Sequence, residues 1–168
     1  HILKPVNWYS TPRTFSLRLS GTDTVTIVTP SVPAIIKDMD PPPAVDISDA
    51  DTVTEGEIST FGLTLPGPSD DTIRVVISTR DITARAGINF AGAVNDTVVF
   101  LPERTRLVYQ VTTLDDSLFD TALVFQARIV KVLGAVAGDS VGNAWIVESG
   151  PAPYAIWGKI RDTVREDV

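Results

Sequence analysis

Apolar and polar residues alternate strictly in several short runs. In Phe61-Gly-Leu-Thr-Leu65 the side chains at 61, 63 and 65 share a face. The same holds for 73, 75 and 77 in Ile73-Arg-Val-Val-Ile77, and for 107, 109 and 111 in Arg106-Leu-Val-Tyr-Gln-Val111. A period of two over a few residues is the signature of a half-buried strand. The run over residues 122–132 is longer and turns 123, 125, 127 and 129 toward one core, and residues 97–101 and 155–160 complete the set. Between the runs stand turn sequences, Pro66-Gly-Pro-Ser-Asp-Asp71 and Leu101-Pro-Glu-Arg104, and Gly134, Gly138, Gly142 and Gly150 punctuate the stretch after 132. No amphipathic helix of useful length is legible. About seven antiparallel strands at this spacing predict an all-β chain folded as an immunoglobulin-like β-sandwich.

Residues 1–40 hold only the strand candidates 14–20, 24–28 and 32–37, too few to close a sandwich. Five prolines lie between Pro30 and Pro43, and Pro41-Pro-Pro43 is expected as a stiff extended segment. The division expected is a partial β-module over 1–40, a proline-rich linker over 41–44 and a β-sandwich over 45–168. A weak repeat supports it. Phe15-Ser-Leu-Arg-Leu-Ser20 followed by residues 34–40 parallels Phe125-Gln-Ala-Arg-Ile-Val130 followed by residues 155–162. The first forty residues therefore read as the C-terminal half of a preceding copy of the same module.

Composition removes most chemistries. Cysteine is absent, which removes thiol nucleophiles and disulfides, and a Ser-His-Asp arrangement would have to recruit His1, the one histidine among 168 residues. The formal charge of −7 disfavours a nucleic-acid partner. The longest stretch free of strongly polar residues, 132–138, is far too short to span a bilayer. Nothing near His1 has the pattern of a signal peptide, which marks a processed chain or a fragment. Sixteen of the 21 acids are Asp, many of them in expected turns, where short carboxylates on flexible backbone suit Ca²⁺.

The order of blocks resembles the Calx-beta family, the calcium-binding β-sandwich of sodium–calcium exchangers and many bacterial surface proteins. The blocks are Val53-Thr-Glu-Gly-Glu57, Thr64-Leu-Pro-Gly-Pro-Ser69, residues 78–90, Val99-Phe-Leu-Pro-Glu103, Thr113-Leu-Asp-Asp-Ser-Leu-Phe-Asp120 and a closing strand ending at Ile160-Arg-Asp162. The resemblance implies calcium as the ion, with Glu55, Asp81, Asp115, Asp116 and Asp162 as candidate ligands and Asp120 nearby. The chain departs from the family where it carries Asn89 in place of an aspartate and Arg161 within the terminal acidic run. Fewer carboxylates weaken calcium binding.

Other constellations carry less. Asp115 and Asp116 are adjacent on one turn, whereas a glycosidase pair faces across a cleft, so no enzymatic activity is expected. Asp70 and Asp71 read as a solvated hairpin tip. Trp145, Tyr154 and Trp157, with Trp8 and Tyr9, are core aromatics or anchors for a sugar or a neighbouring subunit. Asn95-Asp-Thr97 fits an N-glycosylation pattern. The function expected is a structural or adhesive module outside the cell or at its surface. Its expected partners are copies of itself, upstream β-modules, or surface glycans and proteins. The alternatives are a calcium-dependent ligand-binding module of a bacterial adhesin and a virion structural protein.

Overall fold

The computed structural model describes residues 8–21, 28–116 and 121–148. All of its regular elements are strands: β1 (Arg13–Arg18), β2 (Ser31–Ile36), β3 (Ala44–Ile47), β4 (Val53–Thr54), β5 (Ile58–Thr64), β6 (Ile73–Asp81), β7 (Asp96–Phe100), β8 (Arg106–Thr112), β9 (Leu123–Leu133), β10 (Val136–Ala137) and β11 (Val141–Val147). Three sheets result, a two-stranded ribbon β1-β2, a four-stranded sheet β10-β3-β5-β8 and a five-stranded sheet β4-β11-β9-β6-β7. The two larger sheets face each other as an all-β sandwich, the fold class expected from the alternation. The strands expected over 24–28 and 155–160 lie outside the described residues, apart from Val28.

The faces read from the alternation are the buried ones. Phe61, Leu63 and Leu65, then Ile73, Val75 and Ile77, then Phe125, Ala127 and Ile129 all enter one core. Burying side chains of this size is each worth roughly 1.5–3 kcal/mol, which is why the period-two pattern fixes the faces of every strand. Phe125 sits at the centre, edge-on to Phe61 at 5.9 Å and stacked on Phe90 at 4.2 Å and 12°. The first two belong to opposite sheets, and the third to the loop after β6. The sandwich is thus stitched across and at one end by three rings.

Four strands escape the sequence pattern, for two reasons. The first is that β3, β4 and β10 are too short to show alternation. Between β3 and β4 the chain leaves the four-stranded sheet, where Ser48 N–H donates to Gly62, and joins the five-stranded one, where Ala50 N–H donates to the Asn143 carbonyl. This crossing creates the parallel pairs β3-β10 and β4-β11 in an otherwise antiparallel fold. The second reason concerns β11, whose Gly142 and Asn143 read as turn residues. A Cβ at Gly142 would lie 2.5 Å from the Ser48 carbonyl oxygen and 2.8 Å from the Phe61 ring. Glycine is there because Ser48 and Phe61 press on the strand, while the Asn143 backbone N–H and side-chain amide both donate to Asp49 Oδ1.

Tyr109 closes the sandwich at the β7-β8 side. Burial, reinforced by the Asp96 carboxylate beside it, pushes its hydroxyl up to about 12 from the usual 10.0. The folded state therefore keeps a proton that the unfolded chain gives up near 10, and stability falls as pH rises from 10 toward 12. Tyr109→Phe is expected to abolish that alkaline loss, measured by urea unfolding across this range. Gly142→Ala is expected to cost about 1–3 kcal/mol by overpacking; a neutral effect on the urea midpoint would contradict the contact with Phe61.

Candidate functional site

One end of the sandwich gathers the turn 54–57, the loop 81–90 and the segment 113–116, which carry four of the five candidate ligands. Turn 54–57 is set by Gly56 at φ +81°, with Thr54 N–H donating to the Glu57 carboxylate at 2.9 Å. Glu55 is buried, and its N–H donates to Val147 at the end of β11. Asp81 ends β6 and is exposed, with Oδ1 accepting from Ala86 N–H at 3.1 Å. Asp115 is exposed and Asp116 half-buried. Asp162 and Asp120 lie outside the described residues.

The residue that joins this end is Asn89, only 4% exposed. Its Oδ1 accepts from Arg85 N–H at 2.9 Å, which fixes the amide's orientation, and its Nδ2 then donates to Asp116 Oδ2 at 3.1 Å. Its backbone carbonyl accepts from Leu114 N–H. Thr113, fully buried, donates through Oγ1 to the Glu57 carbonyl at 2.7 Å. Loop 81–90, segment 113–116 and turn 54–57 are thereby tied by amide and hydroxyl hydrogen bonds. Phe90, next to Asn89, anchors the same loop in the core through Phe125.

Among the described residues no three acidic or histidine side chains gather where they could hold a metal, and the Asn89 amide is aimed at Asp116 Oδ2, an oxygen of one of the candidate ligands. The strand that lies between β9 and β4 in the five-stranded sheet is β11. The acidic residue that follows it is therefore Glu148, half-buried beside the Glu55 strand contact. Sequence reasoning passed over Glu148 because β11 was hidden by Gly142 and Asn143.

The remaining candidates also find places. Trp145 is half-buried on β11, while Tyr154 and Trp157 lie outside the described residues. Asn95 is exposed on a left-handed turn at φ +56°. Asp70 is no solvated tip: its carboxylate is 10% exposed and pairs with Arg13 at 2.7 Å. The polar acceptors at the end of β5 are thus drawn inward by residues more than fifty positions earlier. Among the described residues no helix is long and apolar enough to cross a membrane.

Asn89→Ala strips the Arg85 N–H of its side-chain acceptor and Asp116 of a donor, and is expected to cost about 1–3 kcal/mol in urea unfolding. Asn89→Asp places a carboxylate against Asp116, and is expected to destabilise more than Asn89→Ala at low ionic strength, with the excess shrinking as added salt screens the two like charges. The same loss at every salt concentration would contradict the direct contact.

No family model matches the chain. Its sequence is similar to human FRAS1-related extracellular matrix protein 2, at 31% identity over 99 residues, which is 58% of this chain and 3% of that protein. Solved structures superimpose on it at low identity. The apo-form Calx CBD1 domain gives a TM-score of 0.56 at 19% identity, over 64% of this chain and 99% of that one. The calcium binding domain CBD12 of CALX1.1 gives 0.57 at 20%, over 62% of this chain and 45% of that one. The two-sheet sandwich therefore has the fold of these Calx-beta domains.

Proposed function

We propose that the chain is a non-catalytic structural module of an extracellular assembly, a segment of a surface fibre or array of similar modules. The observation that carries this reading is the ribbon β1-β2. Its register places Phe15, Leu17, Val32, Ala34 and Ile36 on one face. That face is open, with Phe15 48%, Leu17 62% and Ile36 60% exposed. A two-stranded ribbon with one apolar face is half of a core. The ribbon stands apart from the two sheets of the sandwich, and in this reading strands of a neighbouring module or chain cover its apolar face. The extracellular setting draws on the matrix protein named above, of which this chain spans a small fraction.

A rival reading is a calcium-dependent ligand-binding module of an adhesin, supported by the likeness of the sandwich to the calcium binding domain CBD12 of CALX1.1. It requires saturable calcium uptake that Asp115→Ala with Asp116→Ala removes, read by titration calorimetry; heats absent at millimolar calcium would exclude it.

The structural reading predicts self-association of the chain with rising concentration, measured by light scattering, because the open face takes any matching apolar strand. Leu17→Glu with Val32→Glu is expected to return it to a monomer while leaving the unfolding of the sandwich unchanged. A monomer at every concentration in the parent chain would overturn the proposal.

A further inference from the structure

The turn between β5 and β6 meets the segment that leads into β1, and the contacts there form a joint. Trp8 Nε1 donates to Asp70 Oδ1 at 2.5 Å, and Arg13 pairs with Asp70 Oδ2 at 2.7 Å. Asp70 N–H donates to the Tyr9 carbonyl at 3.0 Å, extending a parallel bridge between Tyr9 and Ser69. Thr11 N–H donates to Asp71 Oδ2 at 2.6 Å. One pair of adjacent carboxylates thus receives an indole, a guanidinium and a backbone amide, and the backbone between them pairs with the approaching strand.

Both sides of the joint are braced. On the sandwich side Ser69 is buried, its carbonyl accepts from Glu103 N–H, and its hydroxyl accepts from Asp71 N–H at 3.1 Å. On the ribbon side Ser10 donates through its N–H and its hydroxyl to Asp38, at 2.7 and 3.2 Å. Backbone N–H groups of Asp40 and Ser10 hold the Asp38 carboxyl below its usual range, so it stays charged into acid. Between the two sides a cavity of about 420 Å³ is walled by Tyr9, Pro41, Pro42, Pro43, Pro66 and Pro68. Proline walls have few backbone rotations to give.

We infer that the Asp70–Asp71 turn is a docking surface whose partner is the terminal hairpin of the preceding module, and that it fixes the angle between successive modules through Trp8 and Arg13. This rests on reading β1-β2 as the end of a preceding copy, but the joint is tested by itself. A charge-assisted lock of this kind holds two modules without a bridging cation. It also selects its neighbour: Leu123 stands where Arg13 does in the repeat, so β9 presents no cation at the position that meets Asp70.

The test is amide hydrogen exchange followed by NMR on the full chain and on the variants Asp70→Ala and Trp8→Phe. Loss of hydrogen bonds to a charged acceptor is expected to speed exchange at Thr11, Asp70 and the β1-β2 amides about tenfold. Amides of β5 and β9 should keep their protection, and a chelator should change nothing in the parent chain. Unchanged exchange at Thr11 and Asp70 in both variants would overturn the joint. So would equal acceleration in β5 and β9, which would make Asp70 a residue of the sandwich alone. Loosening by the chelator would overturn the claim that no cation is needed. The Trp8→Phe variant lies outside the sandwich core, so a folding failure of Asp70→Ala does not decide the matter.

Discussion

The contact of Phe125 with Phe61 and Phe90 is the constraint on which the rest of this fold depends. Phe125 comes from the five-stranded sheet, Phe61 from the four-stranded one, and Phe90 from the loop that follows β6. Edge-to-face and offset-stacked rings add about 0.5–1.5 kcal/mol each beyond the area they bury. They also specify position, since a ring tolerates only a few separations. Opposite Phe61 the chain accommodates its ring with Gly142, whose position explains why β11 can pass so closely. From Phe90 the same constraint reaches Asn89, the adjacent residue, and through it the segment 113–116. Core packing and loop geometry at this end are therefore one system.

That system shows why some of the molecule was legible in the sequence and some was not. Strands β5, β6, β8 and β9 each bury one face for several residues, so alternation reported them and named the residues that enter the core. The sheet-switching pair β3 and β4 is too short to alternate, and β11 breaks its own pattern because Phe61 and Ser48 demand a glycine. Asn89 was recognisable as a departure from the family's aspartate. Its role was not, because the amide's partners, Arg85 and Asp116, are set by the loop's path and not by spacing. Asp70 was misjudged for the same reason: its partners Trp8 and Arg13 lie 62 and 57 positions away. Local turn chemistry predicted a solvated tip, and a long-range charge pair decided otherwise.

Hydrogen-bonded side chains tie the loops together at this end of the sandwich. A cation gathers like-charged carboxylates by neutralising them, whereas an amide offers one donor and one acceptor and joins two unlike partners. Asn89 uses both. The Asp70 joint also joins unlike partners at the junction with the ribbon, where an indole, a guanidinium and an amide meet two adjacent carboxylates. Both devices fit the structural role proposed above, which the shared fold alone does not separate from that of a sensor.

We propose that the Asn89 and Thr113 hydrogen bonds suffice to hold this end of the sandwich together. It is tested most directly by thermal unfolding of the chain in millimolar calcium and in a chelator, at matched ionic strength. The account predicts superimposable transitions. A melting temperature several degrees higher in calcium, as binding to the folded state alone would produce, would contradict it.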